Sequence, residues 1–283
     1  MSFAYEITSE VGDPLVLRSR VDARGQDLPG PSRSVDDILS ALSRKAIFLS
    51  ASENIARQDE RDNIAKDIVD RHTRRMGGAP WLDRYLHYIQ HEDHRYPRRV
   101  LRAVSWLSTF ALENDYTLIF GGHPAISPMV LEVARRFATN HDEVRVVIFQ
   151  SELYANIIPI AAKDISRWPN GCMLTTRAVG RDKNESLTLM RRHMLSAPGL
   201  HAGVYIGGMG GILEESYRFE ELQRGKPRYA IGSTGGASEY LLDAMGDEHC
   251  GRMPTRELRD ALADDEAYAA VIDQIFDDLE AAP

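Results

Sequence analysis

Six short runs of almost unbroken apolar residues, spaced by segments of helical periodicity, constrain this chain more than any other feature of its sequence. They are Ala46–Ser50, Thr117–Phe120, Val144–Phe149, Cys172–Thr175, Ala202–Ile206 and Arg228–Ile231. Alternating apolar and polar residues would mark strands with one wet face, whereas continuous runs mark strands covered on both. Between and beside them, Asp59–His72, Arg98–Glu113, Ile126–Thr139, Glu185–Leu195, Gly211–Gln223 and Ala237–Met245 carry an apolar stripe at helical spacing. Strands that alternate with helices imply βαβ units, a parallel sheet and right-handed crossovers. The expected fold class is α/β: a doubly wound parallel sheet of about six strands, with helices on both faces.

The flanking regions are set by what this pattern leaves over. Residues 1–45 read as an N-terminal extension and a short helix, its first 33 residues poor in strand signals. Ser34 is placed to cap that helix, with Ile38, Leu39 and Leu42 on one face. The main domain is expected over 46–245, with a helical insert at about 53–113, because the roughly 65 residues between the first two strands exceed one crossover helix. Residues 246–283 read as a helical, acidic segment in which Tyr268, Val271, Ile272, Ile275 and Leu279 share a face. From Asp264 to Glu280 there are seven acids and no base. The insert is locally basic at Arg71, Arg74, Arg75, Arg95, Arg98, Arg99 and Arg102. Such a run is a solvated face, a steering surface for an anion, or a partner for the acidic helix of another subunit.

Charge and cysteine content exclude several classes. A net charge of −8 argues against general nucleic-acid binding, which needs a basic face to displace counterions. No apolar run reaches the roughly 18–20 residues that span a bilayer, and the N-terminus lacks the features of a signal peptide. The two cysteines, Cys172 and Cys250, show no CxxC spacing, and Cys172 reads as a reduced core residue. The expected location is the cytoplasm, with no membrane partner.

The strand ends open into the candidate site. Ile206 runs into Gly207-Gly208-Met209-Gly210-Gly211, Phe120 into Gly121-Gly122-His123, Ile231 into Gly232-Ser233-Thr234-Gly235, and Ser50 into Ala51-Ser52. Glycine tolerates positive φ and lets ligand atoms reach backbone N–H groups. A helix starting just beyond adds unsatisfied donors and a positive dipole end, suited to phosphate. In open α/β sheets, ligands bind at this carboxyl edge. The plainer alternative is that the glycines only make tight turns. The chain has no GxxxxGK followed by Ser or Thr, so it is not a P-loop protein, and Gly207–Gly211 is not GxGxxG.

The segment Gly207-Gly208-Met209-Gly210-Gly211-Ile212-Leu213-Glu214 resembles the GGxGTxxE motif of the LOG proteins, cytokinin-activating phosphoribohydrolases. Together with Gly121-Gly122-His123-Pro124-Ala125-Ile126-Ser127-Pro128 and Phe48-Leu49-Ser50-Ala51-Ser52, it is most similar to the prokaryotic SLOG superfamily, which groups LOG, the Smf/DprA DNA-uptake proteins and the sensor region of melastatin-type TRP channels. The resemblance covers roughly residues 46–245. It implies a Rossmann-like fold whose glycine loops hold a nucleotide-derived ligand. It also implies a place among phage-defence sensors that bind ADP-ribose-type or cyclic nucleotide signals made by a partner enzyme. In LOG enzymes the motif's glutamate and an arginine on a preceding helix assist N-glycosidic cleavage. The glutamate matches Glu214, and the arginine matches Arg191 or Arg192. Gly211 stands where LOG has threonine and Ile206 where it has proline, which puts the hydrolase activity in doubt and leaves binding intact.

The ligand-binding candidates are therefore Ser50, Ser52, Gly121, Gly122, His123, Gly207, Gly208, Met209, Gly210, Gly211, Glu214, Gly232, Ser233, Thr234, Gly235 and Arg191. Glu214 and Arg191 are catalytic only if the chain is an enzyme. Glu214 accepts ribose hydroxyls, stabilises an oxocarbenium-like transition state, or is simply a first-turn acid favoured by the helix dipole. Arg191 and Arg192 pair with phosphate or lie on the surface, and His123 donates to a ligand or bonds its own turn. Valine at Gly208 or Gly210 is expected to abolish ligand binding in a folded protein. His91-Glu92-Asp93-His94 lacks HExxH spacing and Asp247-Glu248-His249-Cys250 is an isolated cluster, so neither a metal nor a cofactor is expected.

Three functions stay open. The first is a sensor of a nucleotide-derived small molecule in a bacterial defence or signalling system, acting as a homo-oligomer (dimer or larger) with an effector or signal-producing partner protein. The second is a LOG-like N-glycosidase acting on a nucleoside monophosphate. The third is a protein-interaction module with a vestigial pocket.

Overall fold

The structure, a computed structural model, describes residues 4–8, 14–18, 35–53, 97–137, 143–247 and 254–281. The six expected strands form one parallel array. In chain order they are β3 (Ala46–Ser52), β4 (Thr117–Phe120), β5 (Val146–Ser151), β6 (Gly171–Thr176), β7 (Leu200–Gly207) and β8 (Arg228–Ile231), in the spatial order β6-β5-β4-β3-β7-β8. β4, β5, β6 and β8 are buried at every position, as unbroken apolar runs predict for a sheet covered on both sides.

The N-terminal stretch corrects the expectation of a strand-poor extension. β1 (Ala4–Thr8) and β2 (Pro14–Arg18) pair antiparallel, and β2 joins the sheet beside β6 with Val16 opposite Thr175. Two five-residue strands with a short connection need no covering helix, so they leave no helical rhythm in the sequence.

Helices α2 (Pro97–Glu113), α3 (Ser127–Ala134) and α4 (Ile160–Arg167) follow β3, β4 and β5 and pack one against the next. α5 (Lys183–Leu195) and α6 (Gly210–Leu222) follow β6 and β7 and pack against each other on the other face of the doubly wound sheet. The pattern explains α2 directly: Val100, Ala103, Val104, Leu107 and Ala111 recur at helical spacing and are all fully buried. Each large side chain so buried contributes roughly 1.5–3 kcal/mol. α5 begins where the Asp182 carboxylate accepts from the N–H groups of Asn184 (2.7 Å) and Glu185 (3.0 Å), a side-chain cap for two open donors.

After β8 come α7 (Ala237–Asp247), α8 (Arg256–Asp264) and α9 (Tyr268–Glu280). The α9 face read from the sequence is buried as expected and also takes in Phe276, which stacks on Phe110 of α2 at 6.0 Å and meets Tyr116 edge-on at 5.3 Å. Arg99 on α2 pairs with Glu266 just before α9, a basic–acidic contact within the chain. α1 (Val35–Ser43) buries Ile38 and Leu42 but with Ala41 in place of Leu39, which is 41% exposed. Cys172 is buried. The Asp59–His72 helix, Ser34, Arg71, Arg74, Arg75, Arg95, the 91–94 cluster and residues 248–250 lie outside the described residues.

Candidate functional site

Chain order fixes where a site can form. The chain moves outward from β3 through β4 and β5 to β6, then returns to the other side of β3 as β7. β3 and β7 are therefore neighbours whose next strands in the chain, β4 and β8, lie on opposite sides of the pair, a switch point whose carboxyl edge is where such sheets hold ligands. A cavity of about 520 Å³ lies there, running across the ends of β7, β3, β4 and β5, a size suited to a small-molecule ligand.

Its walls come from three of the four small-residue segments. Ser50 and Ser52 face it from β3, Gly121, Gly122 and His123 from the loop after β4, and Met209 and Gly211 from the loop that opens α6. Gly122 has φ +62°, and Gly207 and Gly208 have φ +61° and +78°, a left-handed conformation that glycine adopts without strain. The third glycine loop, Gly232, Ser233, Thr234 and Gly235, leaves the same edge but does not line the cavity. It holds the β7 loop from behind: Gly207 N–H donates to Thr234 Oγ1 (2.8 Å) and Ser238 Oγ (2.9 Å), and Ala237 N–H donates to the Gly208 carbonyl (2.9 Å). Its own Ser233 carbonyl accepts from Arg99 Nη1 at 3.2 Å. Its polar groups point into the protein.

Gly207, Gly208 and Gly210 likewise stay off the wall, and Gly208 serves packing. A Cβ there would collide with Ile212 Cδ1 and sit 3.0 Å from Ser52 Oγ, at a φ that disfavours side chains. Valine at Gly208 therefore bears on the packing of this loop as well as on the pocket.

The charged centre of the site is a four-residue cluster between α5 and α6. Arg191 Nε donates to Glu215 Oε1 (3.0 Å) and Arg191 Nη1 to Glu214 Oε2 (2.8 Å). Arg218 donates to Glu214 Oε1 through Nε (3.1 Å) and Nη2 (2.9 Å), and Ser50 Oγ donates to Glu215 Oε2 at 2.5 Å. The side chains of Arg191, Glu214, Glu215 and Arg218 are only 10%, 16%, 15% and 12% exposed. Burial by itself lowers the Arg191 pKa, but Glu215 and Glu214 outweigh it and hold the guanidinium above its ordinary value. Of the two adjacent arginines, Arg191 is buried at the cavity and Arg192 is exposed.

This geometry separates the two glutamates. Glu215 and Arg191 line the cavity; Glu214 does not, and is clamped between Arg191 and Arg218. The motif singled out Glu214, and helical spacing alone gave no reason to prefer its neighbour. Ser50 would have given one, since a buried hydroxyl near the end of β3 needs an acceptor and Glu215 supplies it. Gln150, Tyr154 and Lys183 also line the cavity and were not anticipated. The signal for Gln150 was the change from apolar to polar at the end of β5.

His123 sits at the mouth with one side open to solvent and the other against the wall. Its Nδ1 accepts from Ala125 N–H at 3.3 Å, which places the proton of the neutral ring on Nε2. Burial against the wall lowers its pKa, and the Glu215 carboxylate opposes this. Tyr154 is shifted up by burial, with Arg191 opposing. Among the described residues no group of three or more His, Cys, Asp or Glu is placed to hold a metal. No described helix is long and apolar enough to cross a membrane.

A doubly wound parallel sheet with a ligand-sized cavity at its switch point defines a Rossmann-like α/β protein. Residues 98–272, more than half of the chain, match the SLOG cluster3 family, and the chain belongs to that family. No curated protein matches it. Among solved structures it is similar to the X-ray structure of TM1055, a structural-genomics target, at 15% identity over 70% of this chain and 81% of that chain, with a TM-score of 0.37.

Proposed function

We propose that this protein binds and senses a nucleotide-derived small molecule, of ADP-ribose or cyclic-nucleotide type, in a bacterial defence or signalling system, and passes the signal to a partner protein as a homo-oligomer. One observation carries the preference for sensing over hydrolysis. Glu214, the glutamate that matches the hydrolase motif, has both carboxylate oxygens engaged by Arg191 and Arg218 and lies off the cavity wall. Glu215, which is on the wall, is held by Ser50 and Arg191. A carboxylate fixed in this way accepts hydrogen bonds from ribose hydroxyls in a preset geometry. Backbone N–H groups at the start of α6, around Met209 and Gly211, suit phosphate.

The N-glycosidase reading retains one supporting feature, the Arg191–Glu215 pair beside the cavity, since a carboxylate there also stabilises an oxocarbenium-like transition state. A single experiment separates the readings. The protein is incubated with AMP, ADP-ribose and cyclic nucleotides while thermal shift and base release are recorded together. A shift without release is the expected result. Release of free base identifies an enzyme, and neither signal favours an interaction module.

A further inference from the structure

Gln150, the penultimate residue of β5, lies across the cavity from the Gly207–Gly211 loop. It is 7% exposed and lines the wall. Its Nε2 donates to the carbonyl oxygens of Gly121 (3.1 Å) and Gly122 (3.3 Å). Both partners are acceptors, so the amide has one workable orientation; with Oε1 in the Nε2 position, three oxygens would face one another. The packing is tight as well, since a Cβ on Gly122 would stand 2.7 Å from Nε2 and 2.7 Å from Ile148 Cγ2. Oε1 is left with no hydrogen-bond donor among the described residues, on a side chain more than nine-tenths buried. The segment after β5 adds Tyr154, Ile157, Ile158 and Pro159 to the cavity wall. Oε1 is not sealed from solvent, so it is an unpartnered acceptor open to the cavity and placed to take a donor from a ligand.

We infer that Gln150 Oε1 selects the ligand by its base edge, accepting from an exocyclic amino group of adenine or cytosine type and rejecting the oxo counterpart. This rests on the proposed nucleotide binding. β7, β3, β4 and β5 are successive neighbours, so at about 4.8 Å per strand the phosphate-suited loop and Gln150 are roughly 14 Å apart. An extended nucleoside phosphate bridges that span. Its sugar then falls beside Ser50 and Glu215, and its base falls at β5 between Tyr154 and Ile158. An amino group places an N–H against Oε1; an oxo group places a second lone-pair oxygen there, and neither atom has a proton to share.

The test uses paired probes on the full chain by calorimetry: AMP against IMP, CMP against UMP, and ADP-ribose against its hypoxanthine analogue. The amino member of each binding pair is expected to be tighter by about tenfold or more. Gln150→Leu is expected to bring that ratio close to one. A purely structural role, through the Gly121–Gly122 loop, would weaken both members and leave the ratio unchanged, which would overturn the inference. Should the variant fail to fold, the wild-type ratio decides alone: binding without amino–oxo discrimination overturns the role of Gln150 and leaves the nucleotide reading standing. Absence of binding by every probe overturns both.

Discussion

Arg191 Nη2 lies 3.1 Å from where a Cβ on Gly211 would sit. The threonine of the LOG motif and this guanidinium therefore compete for one space, and in this chain the guanidinium occupies it. Gly211→Thr is expected to displace Arg191 from Glu214 and Glu215 and cost about 1–3 kcal/mol. Gly211→Ala adds one methyl against the end of a long side chain and should be within about 1 kcal/mol of wild type, helped by the helix propensity of alanine. Urea unfolding of the two variants side by side measures the difference.

Removing Arg191 altogether is the harsher change. Arg191→Leu leaves Glu215, and in part Glu214, as poorly compensated charges in a largely buried setting, where breaking a pair costs about 3–5 kcal/mol. Arg191→Lys keeps the charge but not the two-pronged geometry that spans both carboxylates, so it should fall between the wild type and Leu. Equal stability of the Lys variant and the wild type would show that the fork is not needed.

The two glutamates should part company in solution. Glu215→Gln is expected to weaken nucleotide binding by about 1–3 kcal/mol, because its carboxylate is on the wall. Glu214→Gln should mainly lower stability through its clamp with Arg191 and Arg218, with affinity little changed. Calorimetric binding and thermal melting on both variants check this. Base release by the wild type that is lost in Glu214→Gln with affinity preserved would establish the hydrolase instead.

His123 gives a pH signature of known sign. Burial holds its folded-state pKa below the ordinary imidazole value of 6.5, with Glu215 opposing. The neutral ring is therefore favoured by folding. Its contribution is fully present above 6.5 and is lost as pH falls through the lowered folded value. Protonation also puts a hydrogen on Nδ1, ending its acceptance from Ala125 N–H. An NMR titration should show the Nε2–H tautomer at pH 7.5, and His123→Gln should reduce the loss of stability between pH 7.5 and pH 5.

Tyr229→Phe probes the C-terminal helix. The buried Tyr229 hydroxyl donates to Asp278 of α9 at 2.6 Å, a charge-assisted bond worth about 1.5–3 kcal/mol. The variant should show that loss in denaturant melts, with earlier hydrogen exchange along α9.

The parts of this fold that were legible in the sequence are those in which one local pattern has one physical outcome. Continuous apolar runs such as Val146–Phe149 admit only a strand covered on both faces, and Tyr268–Leu279 admits only a helix with a buried stripe. Glycine clusters at strand ends likewise placed the edge where the cavity lies. The features that escaped depend on partners distant in sequence. That Glu215 rather than Glu214 faces the cavity is decided by Ser50, 165 residues earlier, and that Gly232–Gly235 turn inward is decided by Arg99 and Gly207. The β1–β2 hairpin escaped because five-residue strands at an edge carry little periodic signal.

The cluster at the switch point closes two positive and two negative charges on one another: Arg191 and Arg218 with Glu214 and Glu215. Seen from a few ångströms away it is electroneutral, and its members are too buried for mobile ions to screen well. Among the described residues that line the cavity, attraction of the proposed ligand's phosphate then falls to fixed peptide dipoles and to Lys183 at the rim. A pocket built this way tolerates changes in ionic strength that would strip an anion from a basic surface.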